Sequence, residues 1–62
     1  MEPWKSPEGL AKLLDIPIRT VYAWRSRGEG PRAYRIGRHV RFRDEDVEEW
    51  LEQRADRRKE PA

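Results

Sequence analysis

The sequence predicts a mainly α-helical fold with one small β-hairpin. Three observations support this: two apolar stripes at helical spacing separated by a break of about three residues, a period-two alternation on either side of Gly37, and a third apolar stripe behind an acidic cluster. With 62 residues, the chain has room for a single domain, 1–62, with a core expected over about 4–54 and a basic tail over 55–62.

Ser6-Pro7-Glu8 opens the first helix. Ser6 is a favoured N-cap, Pro7 suits the first helical position, and Glu8 complements the positive helix end. Leu10, Leu13 and Leu14 form one stripe, with Ala11 beside them, and Asp15-Ile16-Pro17 stops the helix near Leu14. A second helix is expected from about Pro17 to Arg27, ended by Gly28 in the left-handed region. At 100° per residue, Pro17, Val21, Trp24 and Gly28 point inward. Arg19, Ala23 and Ser26 point outward, flanked by Thr20, Tyr22 and Arg27, with Ile18 and Arg25 at the borders. Two short amphipathic helices joined this tightly read as a helix-turn-helix.

Beyond the Glu29-Gly30-Pro31 loop, Tyr34 and Ile36 alternate with Arg35, and Val40 and Phe42 alternate with Arg41 and Arg43. Taking Gly37-Arg38-His39 as a three-residue hairpin loop sets Ile36 against Val40 and Tyr34 against Phe42 on the buried side. On the other side Arg35 then meets Arg41, a like-charge pair that costs roughly 0.2–1 kcal/mol unless a phosphate lies across it. A hairpin following a helix-turn-helix is a wing. The expected architecture is therefore a winged helix-turn-helix: helix-turn-helix, two-stranded wing, C-terminal helix. Asp44 is expected to cap that last helix, with Glu45 and Asp46 in its first turn and Val47, Trp50 and Leu51 as its stripe. Arg54, Arg57, Arg58 and Lys59 crowd its end, where cations are favoured. The expected core is Leu10, Leu13, Leu14, Ile16, Val21, Trp24, Tyr34, Ile36, Val40, Phe42, Val47, Trp50 and Leu51, with Trp4 over one edge.

Net charge is only +2, but it is unevenly placed. Residues 1–18 sum to −1, residues 19–43 carry eight Arg against Glu29 alone, and residues 44–62 sum to −4. A concentrated basic segment is the electrostatic footprint of a nucleic-acid binder, and Arg suits phosphate and guanine edges better than Lys does. Other functions find little support. The chain has no Cys and one His, so neither a thiolate nor a His-cluster metal site is expected, and no cofactor site is visible. The hydroxyls of Ser6, Thr20, Tyr22, Ser26 and Tyr34 have no activating base nearby in sequence, so no catalytic residue is expected and the chain does not read as an enzyme. No apolar run approaches the roughly 20 residues of a membrane span, and the N-terminus lacks the apolar stretch of a signal peptide, which sets the expectation of a cytoplasmic, DNA-associated protein.

Double-stranded DNA is the expected partner. In a helix-turn-helix the outward side of the second helix reads base edges in the major groove. Arg19 can fork onto guanine, a contact worth roughly 1–3 kcal/mol of discrimination. Thr20 and Tyr22 can reach phosphates or a thymine methyl, Ala23 leaves room or meets a methyl, and Ser26 shares the outward face. Arg25 and Arg27 are placed for phosphates. The wing adds Arg35, Arg41 and Arg43, and its tip, Arg38 and His39, is placed for the neighbouring minor groove or its phosphates.

The stretches "SPEGLAKLLDIPIRTVYAW", "TVYAWRSRG", "GPRAYRIGRHVRFR" and "DVEEWL" together resemble the small winged helix-turn-helix domain of the excisionase and MerR-like families, over about residues 4–53. The resemblance implies that Arg19, Thr20 and Tyr22 lie on the recognition helix and Arg38 and His39 on the wing. Two positions depart from the pattern. Gly9 stands where a good helix former is usual, at a cost of about 1 kcal/mol, and Lys5 where an apolar residue is common. Larger MerR-type regulators continue into a dimerisation helix, which this sequence does not reach, so a stand-alone domain is the expectation. Such domains include excisionases, which bend attachment-site DNA and direct an integrase towards excision, and small transcription regulators. The excisionase reading leads and the regulator is its alternative, with an integrase partner and head-to-tail self-association on DNA implied. An adaptor that meets an acidic protein through the same basic surface is a third.

Overall fold

The computed structural model describes residues 3–56. In chain order they form β1 (Trp4–Lys5), α1 (Pro7–Leu14), α2 (Ile18–Arg27), β2 (Ala33–Ile36), β3 (His39–Arg43) and α3 (Asp44–Gln53). Three helices and a three-stranded antiparallel sheet in the order β1-β3-β2 make a winged helix-turn-helix. The wing therefore has a third strand beyond the expected hairpin: Trp4 pairs with Arg43 and Lys5 with Phe42. Residues 57–62, most of the expected basic tail, lie outside the described residues.

The helix ends follow local chemistry. The Gly9 N–H donates to Ser6 Oγ at 2.9 Å, the expected N-cap bond. A Cβ at Gly9 would meet that same oxygen at 3.3 Å, so the glycine leaves the cap room. Asp15 then turns the chain with φ 57, where the Ile16 N–H donates to the Ala11 carbonyl at 3.0 Å and Ile16 folds back onto the core. That is a Schellman ending, made by an aspartate rather than the usual glycine. The same device closes α2: Gly28 sits at φ 72 and the Glu29 N–H donates to the Trp24 carbonyl at 2.7 Å. The start of α3 differs from expectation. Asp44 is already its first helical residue, Arg43 is the cap, and no side chain caps the end. Asp44 instead meets Lys5 Nζ at 3.2 Å, so the unusual lysine in β1 ties the first strand to the last helix.

The hairpin corrects the expected register. Ala33 faces Phe42, Tyr34 faces Arg41, Arg35 faces Val40 and Ile36 faces His39. The loop is two residues, Gly37-Arg38, with Gly37 at φ 62 in the first central position, where a II′ hairpin turn places glycine. Shortening the loop by one residue moves β2 to the opposite parity. Val40 and Phe42 still face the helices, whereas Tyr34 and Ile36 lie on the outer face of the sheet. The expected Arg35–Arg41 opposition does not occur, because Arg35 lies across from Val40. On the outer face Tyr34 meets Trp4 edge-to-face, centroids 5.3 Å apart, with the Arg32 and Arg43 guanidiniums over the Tyr34 ring.

Leu10, Ala11, Val21, Phe42 and Val47 are buried, with Leu14, Ile16, Ile18, Trp24, Ala33 and Val40 packed around them. Of the expected core, Tyr34 is displaced to the outer face. Leu13 (54% exposed), Ile36 (54%) and Leu51 (37%) are exposed rather than buried. No element among the described residues covers them. Trp24 and Trp50 pack on each other with centroids 4.9 Å apart, locking α2 to α3. Gly30, at φ 87, lets the loop after α2 press onto that pair, since a Cβ there would stand 3.1 Å from Trp24 Cβ and 3.2 Å from its ring.

Gly30→Ala is expected to lose about 2 kcal/mol, from the strained backbone together with the displaced indole. Gly28→Ala, which has open space around its φ 72 backbone, should lose only about 1 kcal/mol. Urea unfolding followed by Trp fluorescence measures both; equal losses would mean that contact with Trp24 contributes nothing.

Candidate nucleic-acid interface

The helix-turn-helix presents one side of α2 to solvent because Val21 anchors the other side in the core. Arg19, Tyr22, Arg25, Ser26 and Arg27 are exposed, and Thr20 and Ala23 are half-buried. Near the α2 face lies a groove that assembles residues far apart in sequence. Ser6, Pro7 and Glu8 from the start of α1, Tyr22 from α2, and Arg38, His39, Val40 and Arg41 from the wing line it together. The groove exists because β1 pairs only with Phe42 and Arg43, so on that side β3 runs from His39 to Arg41 without a strand neighbour. The structure thus brings Tyr22 of the expected recognition helix into one surface with Arg38, His39 and Arg41 of the expected wing.

Other candidates are placed differently. Arg25 lines a separate depression with residues 28–33, on the side of α2 towards the start of β2. Arg27 Nε stands 3.3 Å from Glu29 Oε1, an exposed pair that water screens strongly. The Arg41 guanidinium folds back and donates to the Val40 carbonyl at 2.8 Å. Arg43 is committed most firmly. Its Nε and Nη2 donate to both carboxylate oxygens of Asp46 at 3.1 and 3.2 Å, with Glu45 3.9 Å away. The hydrogen bond and the charge of Asp46 hold the Arg43 pKa above its ordinary value. This fork makes Arg43 a structural clasp between β3 and α3, and the nearly buried Asp46 accounts for it. Among the described residues Arg19, Arg25, Arg35 and Arg38 have no carboxylate within ion-pair distance, so their full charge faces solvent.

Ser6, Pro7 and Glu8 belong to the groove although their sequence pattern marks only a helix start. The strand before α1, which helps bring them there, has no local signature. Glu8 places a carboxylate among the cations, where it opposes an incoming anion.

No helix among the described residues is long and apolar enough to cross a membrane. No curated protein is similar enough to match the chain. A protein family described as "helix-turn-helix domain" matches residues 6–55, from the cap of α1 to just past α3. That span contains both helices of the motif, the hairpin and the clasp that joins it to α3, and the chain belongs to this family of small DNA-binding domains.

Proposed function

We propose that the protein binds double-stranded DNA sequence-specifically, without catalysing any reaction, and serves as an excisionase that shapes attachment-site DNA for an integrase. The observation that carries the DNA reading is the convergence of α2 and the wing tip on one groove, beside arginines that lack internal partners. In this reading α2 enters the major groove with Arg19, Ala23 and Ser26 towards base edges, and Thr20 and Tyr22 at the margins. Arg25 and Arg27 serve phosphates flanking the helix. Arg38 and His39 reach into or across the neighbouring minor groove, with Arg35 and Arg41 behind them on the strands. Arg43 contributes through its clasp with Asp46, by holding the wing. The excisionase role rests on the likeness of "RIGRHVRF" followed by an acidic helix start to that family. A transcription regulator would use the same surface on promoter DNA.

Selecting bound fragments from sheared source DNA at physiological salt tests the role. Repeated sites beside an integrase attachment site are expected. Enrichment at promoters would make the protein a regulator, and no enrichment over random duplex would remove sequence-specific binding.

Substitution separates reading from gripping. Arg19→Ala should relax discrimination at one base position by roughly 1–3 kcal/mol. Arg38→Ala should weaken binding on all sequences and reduce by about one the salt slope, expected near −4 to −5 for about five phosphate contacts. Equal losses on every sequence for Arg19→Ala, or an unchanged slope for Arg38→Ala, would reassign the residue concerned.

Glu8→Gln removes the one carboxylate from the groove and should tighten binding by about threefold at low salt, with the gain fading as salt rises. Fluorescence anisotropy on a labelled duplex reads this; unchanged affinity would place the phosphate path away from the start of α1.

A further inference from the structure

The side of the molecule formed by α1 and α3 carries a second groove, of about 460 Å³, lined by Lys5, Leu13, Leu14, Asp44, Val47, Glu48 and Leu51. It shares no residue with the groove at Tyr22 and the wing tip. Its apolar lining is Leu13 and Leu14 from α1 and Val47 and Leu51 from α3, with Leu13 54% and Leu51 37% exposed. In a chain with only 35% hydrophobic residues, leucines left in water along one channel mark a docking surface more than packing surplus. The Lys5–Asp44 ion pair lies at its margin.

Charge selects the occupant. Helix α3 carries six carboxylates and no cation. Asp44 is held by Lys5, and Asp46 by Arg43 with Glu45 nearby. Glu48, on the groove wall, has no cation within ion-pair distance among the described residues. We infer that this groove receives an amphipathic helix from a different protein, with an apolar stripe seated on Leu13, Leu14, Val47 and Leu51 and Lys or Arg along its flank beside Glu48. Helix-in-groove recognition uses this combination of apolar anchors and flanking charge. The arginine-rich face of the domain repels such a helix, so the two surfaces take different partners. Outside the groove itself, the exposed apolar residues that a second copy of this chain offers among cations, within the described residues, are Tyr22 beside Arg19 and Arg25 on α2 and Ile36 beside Arg35 on β2. The function proposed above commits both surfaces to DNA.

The probe is a synthetic amphipathic peptide of about 16 residues with Leu at i, i+3, i+4 and i+7 and Lys on the flanks, paired with a second peptide carrying Glu in place of Lys. Each is titrated into the isotope-labelled protein without DNA, and the amide resonances are followed. The Lys peptide should shift residues 10–14 and 47–51. Leu13→Ser should weaken it roughly tenfold and Glu48→Lys roughly threefold, while both variants keep the parent's affinity for DNA. Absence of shifts at millimolar peptide, equal binding of the Glu peptide, or shifts confined to the wing would overturn the inference. So would concentration-dependent pairing of the protein in sedimentation that Leu13→Ser abolishes, which would assign the groove to a second copy. The resonance readout is independent of DNA, so its failure is separate from a failure of the DNA-binding reading.

Discussion

Phe42 lies where every layer of the molecule meets. Its strand is the middle one of the sheet, paired with Lys5 on one side and Ala33 on the other, and its side chain is 1% exposed. Two residues later α3 has begun. The buried set draws Leu10 and Ala11 from α1, Val21 from α2, Phe42 from β3 and Val47 from α3. A chain of this length buries too little surface for independent cores, so one strand must fasten the sheet, seat the helix-turn-helix and launch the last helix together. The direction of the wing follows from that constraint, because β3 cannot tilt without withdrawing Phe42 from the helices.

Elements governed by neighbouring residues were legible in the sequence. The Ser6 cap, the end of α1 at Leu14 and the αL turn at Gly28 depend on side chains and backbone within a few positions, and they appear where expected. Elements governed by distant pairing were not. Two residues, Trp4 and Lys5, give no periodicity of their own, and their strand exists only because β3 offers an edge. The hairpin register depended on whether His39 belongs to the turn or to the strand, and alternation around Gly37 fits both. Choosing the longer loop put Tyr34 in the core. The shorter one sends it to the outer face, where Trp4 receives it. The candidate site residues show the same division. The exposure of Arg19 and Ser26 follows from helical angle alone, whereas the meeting of Tyr22, Arg38 and Glu8 needed the third strand and the true register.

The eight arginines of the basic segment do different work, and sequence position alone does not sort them. Arg32 lies over Tyr34, Arg41 bonds its neighbour's carbonyl, and Arg43 forks onto Asp46 and overlies Tyr34. These hold the sheet's outer face and its junction with α3. Arg19, Arg25, Arg35 and Arg38 keep their charge towards solvent, on α2 and around the hairpin turn. A basic segment of this kind therefore overstates the number of phosphates that can be neutralised, and internal partners are what correct it.

The Arg43–Asp46 clasp also bears on affinity. Ordering a flexible wing on DNA would cost conformational entropy for each residue fixed, and that cost would weaken the net affinity. Here β3 passes into α3 with no intervening loop, Lys5–Asp44 and Arg43–Asp46 tie the junction from both sides, and Trp24 against Trp50 fixes α3 to α2. The path from wing tip to recognition helix thus runs through packed or ion-paired groups with no free linker. In the proposed reading, a duplex would meet α2 and the wing already held at a set separation, so a few unpaired arginines would serve a domain this small.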